Sequence, residues 1–442
     1  MRGCSTLTKK EVMNKSFIVK KSILSGRVEI PPSKSHTIRA VAIASLAKGE
    51  SKILYPLVSE DTLAAVESYK ALGAKIQIEK DLWIVEGFSG NPVPIKNLID
   101  TKNSGTTLNI VMSSCALLQK GEIQLTGDEQ TKKRPVGPLV QSLNNLGASI
   151  SYTEKQGFPP LIIKGKLTGG KTTLSAQSSQ YLTSLLINTP LADNETLIDV
   201  PLLYEKSYIE MTLEWLKYEK IKFENEDMRK FRIPGNQSYP GFKRKIPSDF
   251  SSATFFLAAG ALMNNDITCL GLDFNDPQGD KAVIDYLKRM GAKVEIGKDF
   301  IRISAGSLKG IDIDMNDTPD ALPMMAVIGC FAKGKTRLLN VPQARIKETD
   351  RIKTMYEELS KMGAKIRELK DGLEIDESTL KATRVNGHSD HRIVMALAIA
   401  GLAIEGETTV DTAESVAITF SNFENCVQIV GGSIKKTNSD QS

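Results

Sequence analysis

Leu72-Gly73-Ala74-Lys75 ends an amphipathic stretch and opens a β-like run. The phrase returns as Leu146-Gly147-Ala148-Ser149, Met290-Gly291-Ala292-Lys293 and Met362-Gly363-Ala364-Lys365. Degenerate copies stand in the gaps, at Tyr218-Glu219-Lys220-Ile221 and Gly431-Gly432-Ser433-Ile434. The marks fall at 73, 147, 218, 291, 363 and 431, so six units of about 72 residues cover nearly the whole chain.

A second feature keeps step with the first. Each unit holds a long apolar stretch entered through polar residues: Ser35 before IRAVAIASLA, Ser104, Ser179, Ser251, Asp320 before ALPMMAVIGCFA, and Asp390 before HRIVMALAIAGLA. Stretches apolar on nearly every side predict helices buried in a core rather than laid on a surface. A turn and a short strand follow each one, as at Lys333-Gly334-Lys335 before TRLLNV. The unit therefore reads as buried helix, strand, surface helix, then one or two strands, which makes the chain an α/β protein. Ser and Asp at these starts are ordinary helix caps. Six in register also predict six helix N-termini pointing in related directions, and such termini attract anions. If they converge on a cleft, its substrates are multiply anionic.

Length and composition fit this picture and exclude others. The 442 residues are 25% charged and 41% hydrophobic, ordinary for a globular chain and unlike a disordered or fibrous one. The apolar runs are too short for a membrane span, and the first residues lack the apolar core of a signal peptide. The expectation is a cytoplasmic protein. A net charge of +5, from 57 Lys and Arg against 52 Asp and Glu, makes no case for nucleic acid. The five cysteines are odd in number and far apart, without a Cys-x-x-Cys pair, and the three histidines are too few for a His-rich metal centre.

The polar clusters at the helix starts carry the chemistry. Lys34-Ser35-His36-Thr37-Ile38-Arg39 follows a proline pair and supplies an ammonium, a hydroxyl and a guanidinium. Asn103-Ser104-Gly105 is a small-residue loop that lets a ligand approach the backbone. Lys132-Lys133-Arg134-Pro135 opens an amphipathic helix, and Ser178-Ser179-Gln180 offers two hydroxyls and an amide. Asp320, then Lys347-Glu348-Thr349-Asp350-Arg351, and Asp390-His391-Arg392 complete the set. Each cluster alone is also a capped turn or a salt-laced surface helix. Together they place Lys34, Arg39, Arg134, Arg351 and Arg392 around two carboxylates, Asp320 and Glu348, which suits phosphate and carboxylate substrates and acid–base chemistry. With no P-loop, dinucleotide fingerprint or metal triad alongside, the natural class is a cofactor-free transferase or lyase.

The ordered blocks PPSKSHTIR, NSGTT, TGDEQTKKRP, SSQ, SDFSSA, PDALP, KETDR and DHR resemble the 5-enolpyruvylshikimate-3-phosphate synthase family, from about Phe17 to about Lys436. The resemblance implies a two-domain enolpyruvyl-transferase-like fold of six βαβαββ repeats around buried parallel helices. One three-repeat domain is discontinuous, 17–31 with 247–436, and holds Asp320 and Glu348. The inserted domain is 32–246, and 1–16 is an N-terminal extension or a misplaced start, with Met13 a candidate. The implied reaction moves the enolpyruvyl group of phosphoenolpyruvate to the 5-hydroxyl of shikimate 3-phosphate, with release of phosphate, on the way to chorismate. Asp320, Glu348 and Lys34 are the implied catalytic residues. Lys34, Asn103, Gly105, Arg134, Arg351 and Arg392 are implied to hold phosphoenolpyruvate, Gly105 matching forms sensitive to glyphosate. Ser35, Arg39, Ser178, Ser179, Gln180, Asp320 and Lys347 are implied to hold shikimate 3-phosphate. No metal, organic cofactor, nucleic acid or membrane is implied, and the chain is expected to be a monomer whose domains close on substrate.

Three positions depart from the family pattern. Asn109 stands where Arg is usual, Ile418 where Lys is usual, and Glu205 aligns with a Ser that contacts the shikimate phosphate. Fewer cations predict a weakened or drug-tolerant enzyme, with Lys206 or Ser207 as candidate compensators for Glu205. Rival readings are a UDP-N-acetylglucosamine enolpyruvyl transferase, disfavoured by Lys34-Ser35 and by the apolar setting of Cys115, a non-catalytic binder of an anionic metabolite, and an RNA-end-processing relative.

Overall fold

The repeat seen in sequence becomes six four-stranded sheets in a computed structural model, which describes residues 15–438. The second unit shows the pattern. Strand Leu98–Asp100 pairs parallel with Glu122–Thr126, which pairs antiparallel with Leu161–Lys164, which pairs antiparallel with the edge strand Ser149–Tyr152. Helix Gly105–Cys115 links the first two strands, and helix Gly137–Asn145 links the second to the edge strand. All six sheets follow this order.

The Gly-Ala phrase marks the end of each outer helix. Gly73 has φ +109°, and the N–H of Ala74 donates to the carbonyl of Tyr69 (3.0 Å). This closes the helix as a Schellman turn, whose left-handed residue is most easily glycine. In the third unit the same bond runs from Ile221 to Leu216, with Lys220 at φ +57°. The degenerate copy therefore centres on Lys220, two residues beyond the mark at 218, because lysine has taken the left-handed place.

Three strands cross unit boundaries. Strand Ser25–Glu29 precedes the first inner helix, yet it pairs with Asp266–Leu270 of the fourth unit. Strand Lys243–Lys245 precedes the fourth inner helix, yet it pairs with Glu50–Leu54 of the first. The two units exchange opening strands. The connections run side by side, Ser33 N–H to the Pro247 carbonyl (2.7 Å) and Asp249 N–H to the Pro31 carbonyl (2.9 Å). The sixth sheet is completed by the N-terminal strand Lys15–Lys20, between Glu407–Asp411 and Ser433–Asn438. Residues 15 and 16 of the expected extension thus belong to the fold; the rest of that segment, with Met13, lies outside the described residues.

The inner helices are Lys34–Leu46, Gly105–Cys115, Ser179–Asn188, Phe250–Ala261, Leu322–Phe331 and His391–Leu402. As expected they are buried almost all round. Buried apolar residues form two separate cores, one running from Ile38 to Ile246, the other joining Phe17–Ile30 to Phe250–Ile434. Each fully buried Leu, Ile, Phe or Met contributes roughly 1.5–3 kcal/mol, so these helices are where folding free energy is gathered.

The helix caps differ in detail from the expected starts. Ser33, not Ser35, caps the first inner helix, Ser178 the third and Asp249 the fourth. The fifth has no side-chain cap, which leaves Asp320 free of that duty. Displaced inside their helices, Lys34, Ser35 and Ser179 have side chains available to the space in front.

Candidate active site

The starts of the first three inner helices, which pack in the Ile38–Ile246 core, face the lobe built on the other core around one cavity. Its lining includes Lys34, Ser35 and Arg39 from the first helix, Gly105 and Thr106 from the second, and Ser179, Gln180 and Thr183 from the third. Asp320, Lys347 and Glu348 face them, and Arg134 completes the ring. Behind Asp320, Arg392 at the start of the sixth helix reaches the carbonyl of Ser251 in the first turn of the fourth (3.5 Å). All six N-terminal turns are thus joined in one network, as the register of the repeat predicts.

The wall bearing Asp320 is a cluster of carboxylates and guanidiniums. Arg351, 1% exposed, spends its whole fork on carboxylates: Nε to Asp390 (2.8 Å), Nη1 to Asp320 (2.7 Å) and Nη2 to Glu348 (2.5 Å). The second oxygen of Asp320 accepts from Arg392 (2.8 Å). The second oxygen of Glu348 lies 3.2 Å from Arg134 of the other lobe. Burial alone would raise the Asp320 carboxyl, but Arg392, Arg351, Lys347 and Lys34 hold it below the ordinary range. Burial would raise Glu348 too, and Arg351 and Arg134 hold it well below. Both are therefore carboxylates at neutral pH. His391 lies in the same wall, and burial among cations keeps its imidazole neutral.

Behind this wall a fourth carboxyl behaves differently. Asp280 is buried beside Asp320, and burial together with that neighbour pushes its pKa up to about 7 against the pull of Arg392. The Tyr208 hydroxyl lies between the two, 3.2 Å from Asp280 and 3.4 Å from Asp320.

The wall on the side of the Ile38–Ile246 core sets hydroxyls and an amide beside the cations Lys34, Arg39 and Arg134. Lys34 Nζ lies 3.1 Å from the buried Asp61. Gln180 accepts from Asn109 (2.8 Å) and donates to Thr106 (3.0 Å). The Ser179 backbone N–H (3.2 Å) and hydroxyl (2.5 Å) both donate to Glu205, whose other oxygen pairs with Lys347 across the cleft.

Most residues singled out from sequence meet here, but not all on equal terms. Arg351 and Arg392 stand behind the carboxylates. Ser178 caps its helix and borders an adjoining hollow with Asn109 and Tyr181. Arg39 lines the cavity, but four of its guanidinium hydrogens go to Thr212, Ser35, Thr183 and Tyr208. Asn103 is not part of the lining; its amide holds the neighbouring loop at Asp128 (2.7 Å) and Gln130 (2.6 Å).

Sequence reasoning missed Asp61, Thr106, Thr183, Tyr208 and Asp280. Asp61 reads as an acid in the first turn of a surface helix, and nothing local separates it from an ordinary dipole partner. Of the departures, Asn109 is turned to Gln180, and Ile418 is buried in the turn Ala413–Ile418. Lys206 is exposed, while Ser207 faces the Asp317 carbonyl (3.4 Å), so neither takes up Glu205's place.

Six sheets around two cores, with a cleft of guanidinium, ammonium and carboxylate groups between them, define the enolpyruvyl transferase class. A family model described as EPSP synthase (3-phosphoshikimate 1-carboxyvinyltransferase) matches residues 18–427. The 3-phosphoshikimate 1-carboxyvinyltransferase of Acetivibrio thermocellus is 53% identical over 416 residues, 94% of this chain and 98% of that protein. That of Methanocaldococcus jannaschii is 43% identical over 428 residues, 95% of this chain and 99% of that protein. A solved EPSP synthase from Acinetobacter baumannii superposes with a TM-score of 0.80 at 26% identity, covering 96% of this chain and all of that one.

The chain belongs to the EPSP synthase family. Its activity is that of the family, enolpyruvyl transfer in the shikimate pathway, which serves chorismate and aromatic amino-acid biosynthesis. EPSP synthases use phosphoenolpyruvate and shikimate 3-phosphate. The rival enolpyruvyl acceptor is set aside, and Cys115 is buried in the second inner helix. Among the described residues, no helix is long and apolar enough to cross a membrane.

Proposed function

We propose that Asp320 takes the proton of the shikimate 3-phosphate 5-hydroxyl as its oxygen attacks C2 of phosphoenolpyruvate, while Glu348, with Lys34 beside it, passes a proton to C3. The addition gives a tetrahedral intermediate. Loss of a proton from the new methyl group and departure of phosphate from C2 then give the enolpyruvyl ether. The observation that carries this reading is the position of two ionised carboxylates in one cavity, both held by Arg351. A base has to be ionised to act, and Asp320 is. Glu348 becomes an acid when the anionic substrate takes over Arg134 and Arg351, because removing those cations lets its pKa rise.

In this reading Lys34, Arg134, Arg351 and Arg392, with Gly105, receive phosphoenolpyruvate, and Asn103 supports them by holding the loop at Asp128. Ser35, Arg39, Ser178, Ser179, Gln180 and Lys347 receive shikimate 3-phosphate. The guanidinium fork suits bidentate capture of carboxylate and phosphate. The lobes are assigned as 17–31 with 247–436, and 32–246, on the strength of the two cores. A cytoplasmic monomer is the proposed state.

Phosphate release by the purified protein tests the assignment. Release is expected only when both substrates are present. No release, with both substrates still bound, would return the chain to the non-catalytic reading.

A further inference from the structure

Glu205 holds the donors that the proposed site needs for a substrate phosphate. It is 1% exposed, yet it carries a charge-bearing group into the cavity. One carboxylate oxygen accepts both the N–H and the hydroxyl of Ser179, and the other pairs with Lys347 of the opposite lobe. Its own N–H faces Asn316 Oδ1, also of the opposite lobe (3.4 Å). The residue sits at φ +57°, ψ +50°, a left-handed conformation that a glutamate adopts only when its surroundings impose it. A backbone N–H at a helix start, a hydroxyl and an ammonium are the set that binds a phosphate.

We propose that Glu205 is a resident anion in the acceptor-phosphate subsite, which shikimate 3-phosphate must displace from Ser179 and Lys347 on binding. Glu205 therefore sets acceptor affinity, and in the free enzyme it straps the two lobes together through Lys347. The proposal rests on the assignment of Ser179 and Lys347 to shikimate 3-phosphate. The displacement breaks no covalent bond: one anion replaces another on three donors, and the carboxylate turns toward solvent or the cleft mouth.

The test is calorimetric titration of shikimate 3-phosphate into the full-length enzyme and into Glu205→Gly, Glu205→Gln and Lys347→Ala. Glycine accepts the left-handed conformation, so Glu205→Gly keeps the backbone, and glutamine keeps the bulk without the charge. The expected result is a Kd about tenfold lower in Glu205→Gly, the worth of one charge-assisted contact no longer contested. Glu205→Gln should fall in the same direction by less, and KM for phosphoenolpyruvate should move far less than KM for shikimate 3-phosphate. Lys347→Ala should raise Kd. A merely structural role for Glu205 would not make its removal tighten binding. If Lys347→Ala raises Kd while both Glu205 variants bind no more tightly than the parent, the resident-anion proposal is overturned and the site assignment stands. If Lys347→Ala leaves Kd unchanged, the site assignment itself fails and takes the proposal with it.

Discussion

The two walls of the cleft use different chemistry on the same backbone unit. The wall on the side of the Ile38–Ile246 core presents hydroxyls, an amide and helix N–H groups, with cations spaced among them. That style continues inward: Ser113 bonds Ser184 (2.6 Å) and Ser114 bonds Asn188 (2.8 Å) between inner helices, and Tyr69 of an outer helix bonds Ser114 (2.8 Å). The opposite wall is a circuit of three carboxylates and two arginines, in a lobe whose core includes the packed rings of Phe255, Phe256, Phe420 and Phe423. In the free enzyme its charges are paired with one another, and in the proposed mechanism phosphoenolpyruvate takes Arg351 and Arg392 from these carboxylates. Buried circuits of this kind contribute little net stability and fail badly when one member is lost. One wall thus offers neutral donors beside cations, and the other adds the arginine-held carboxylates to which the proposed proton transfers belong.

This contrast can be broken at several points. Arg351→Ala should have the largest effect on folding, because it strands Asp390, Glu348 and Asp320 together. A loss of about 3–5 kcal/mol is expected in denaturant unfolding. No loss would mean the circuit is not a unit.

Gly105→Ala acts on the wall of the first three inner helices. A Cβ there would stand 2.1 Å from Arg134 Nη1, so the guanidinium must move. KM for phosphoenolpyruvate should rise about ten- to a hundredfold, with tolerance to glyphosate rising alongside. An unchanged KM would remove Arg134 from donor binding.

Ser113→Ala loses a buried hydrogen bond between inner helices and should cost about 1 kcal/mol with kcat kept. A change in kcat without one in stability would show that the polar interior reaches the site.

Asp280→Asn should have the smallest effect and a pH signature. The folded state raises this carboxyl from 3.8 to about 7, so its stabilising effect is complete below 3.8 and is lost as pH rises through about 7. The asparagine variant should flatten part of the fall in unfolding midpoint across that window, measured by calorimetry. Glu219, which burial pushes up to about 7 against Arg244, keeps the remainder. A slope identical to the parent's would show Asp280 to be ionised throughout.

How much of this was legible in sequence follows from the range of the interactions. The repeat and the buried helices rest on spacing within about 72 residues, and Gly73 and Gly147 announce their turns locally. Lys220 hides the third copy because it occupies a left-handed position without the usual glycine. The exchange of strands Ser25–Glu29 and Lys243–Lys245, and the use of Lys15–Lys20 in the sixth sheet, are long-range pairings that local pattern does not encode. The site was legible where a cluster of unlike polar residues opens an apolar helix, as at Lys34-Ser35 and Asp390-His391-Arg392. Asp61, Tyr208 and Asp280 were not, because each looks like an ordinary surface residue until another unit is packed against it. Asn103 shows the reverse case: a polar side chain in a suggestive loop whose amide NH2 bonds to Asp128 and Gln130 of the neighbouring loop.

The central claim is that removal of the 5-hydroxyl proton belongs to Asp320. Asp320→Asn tests it most directly, with phosphate release and shikimate 3-phosphate binding measured on the same preparation. Phosphate release should fall about a hundred- to ten-thousand-fold, while the acceptor still binds and the fold survives. Unchanged phosphate release would contradict the account, since the base would then lie elsewhere.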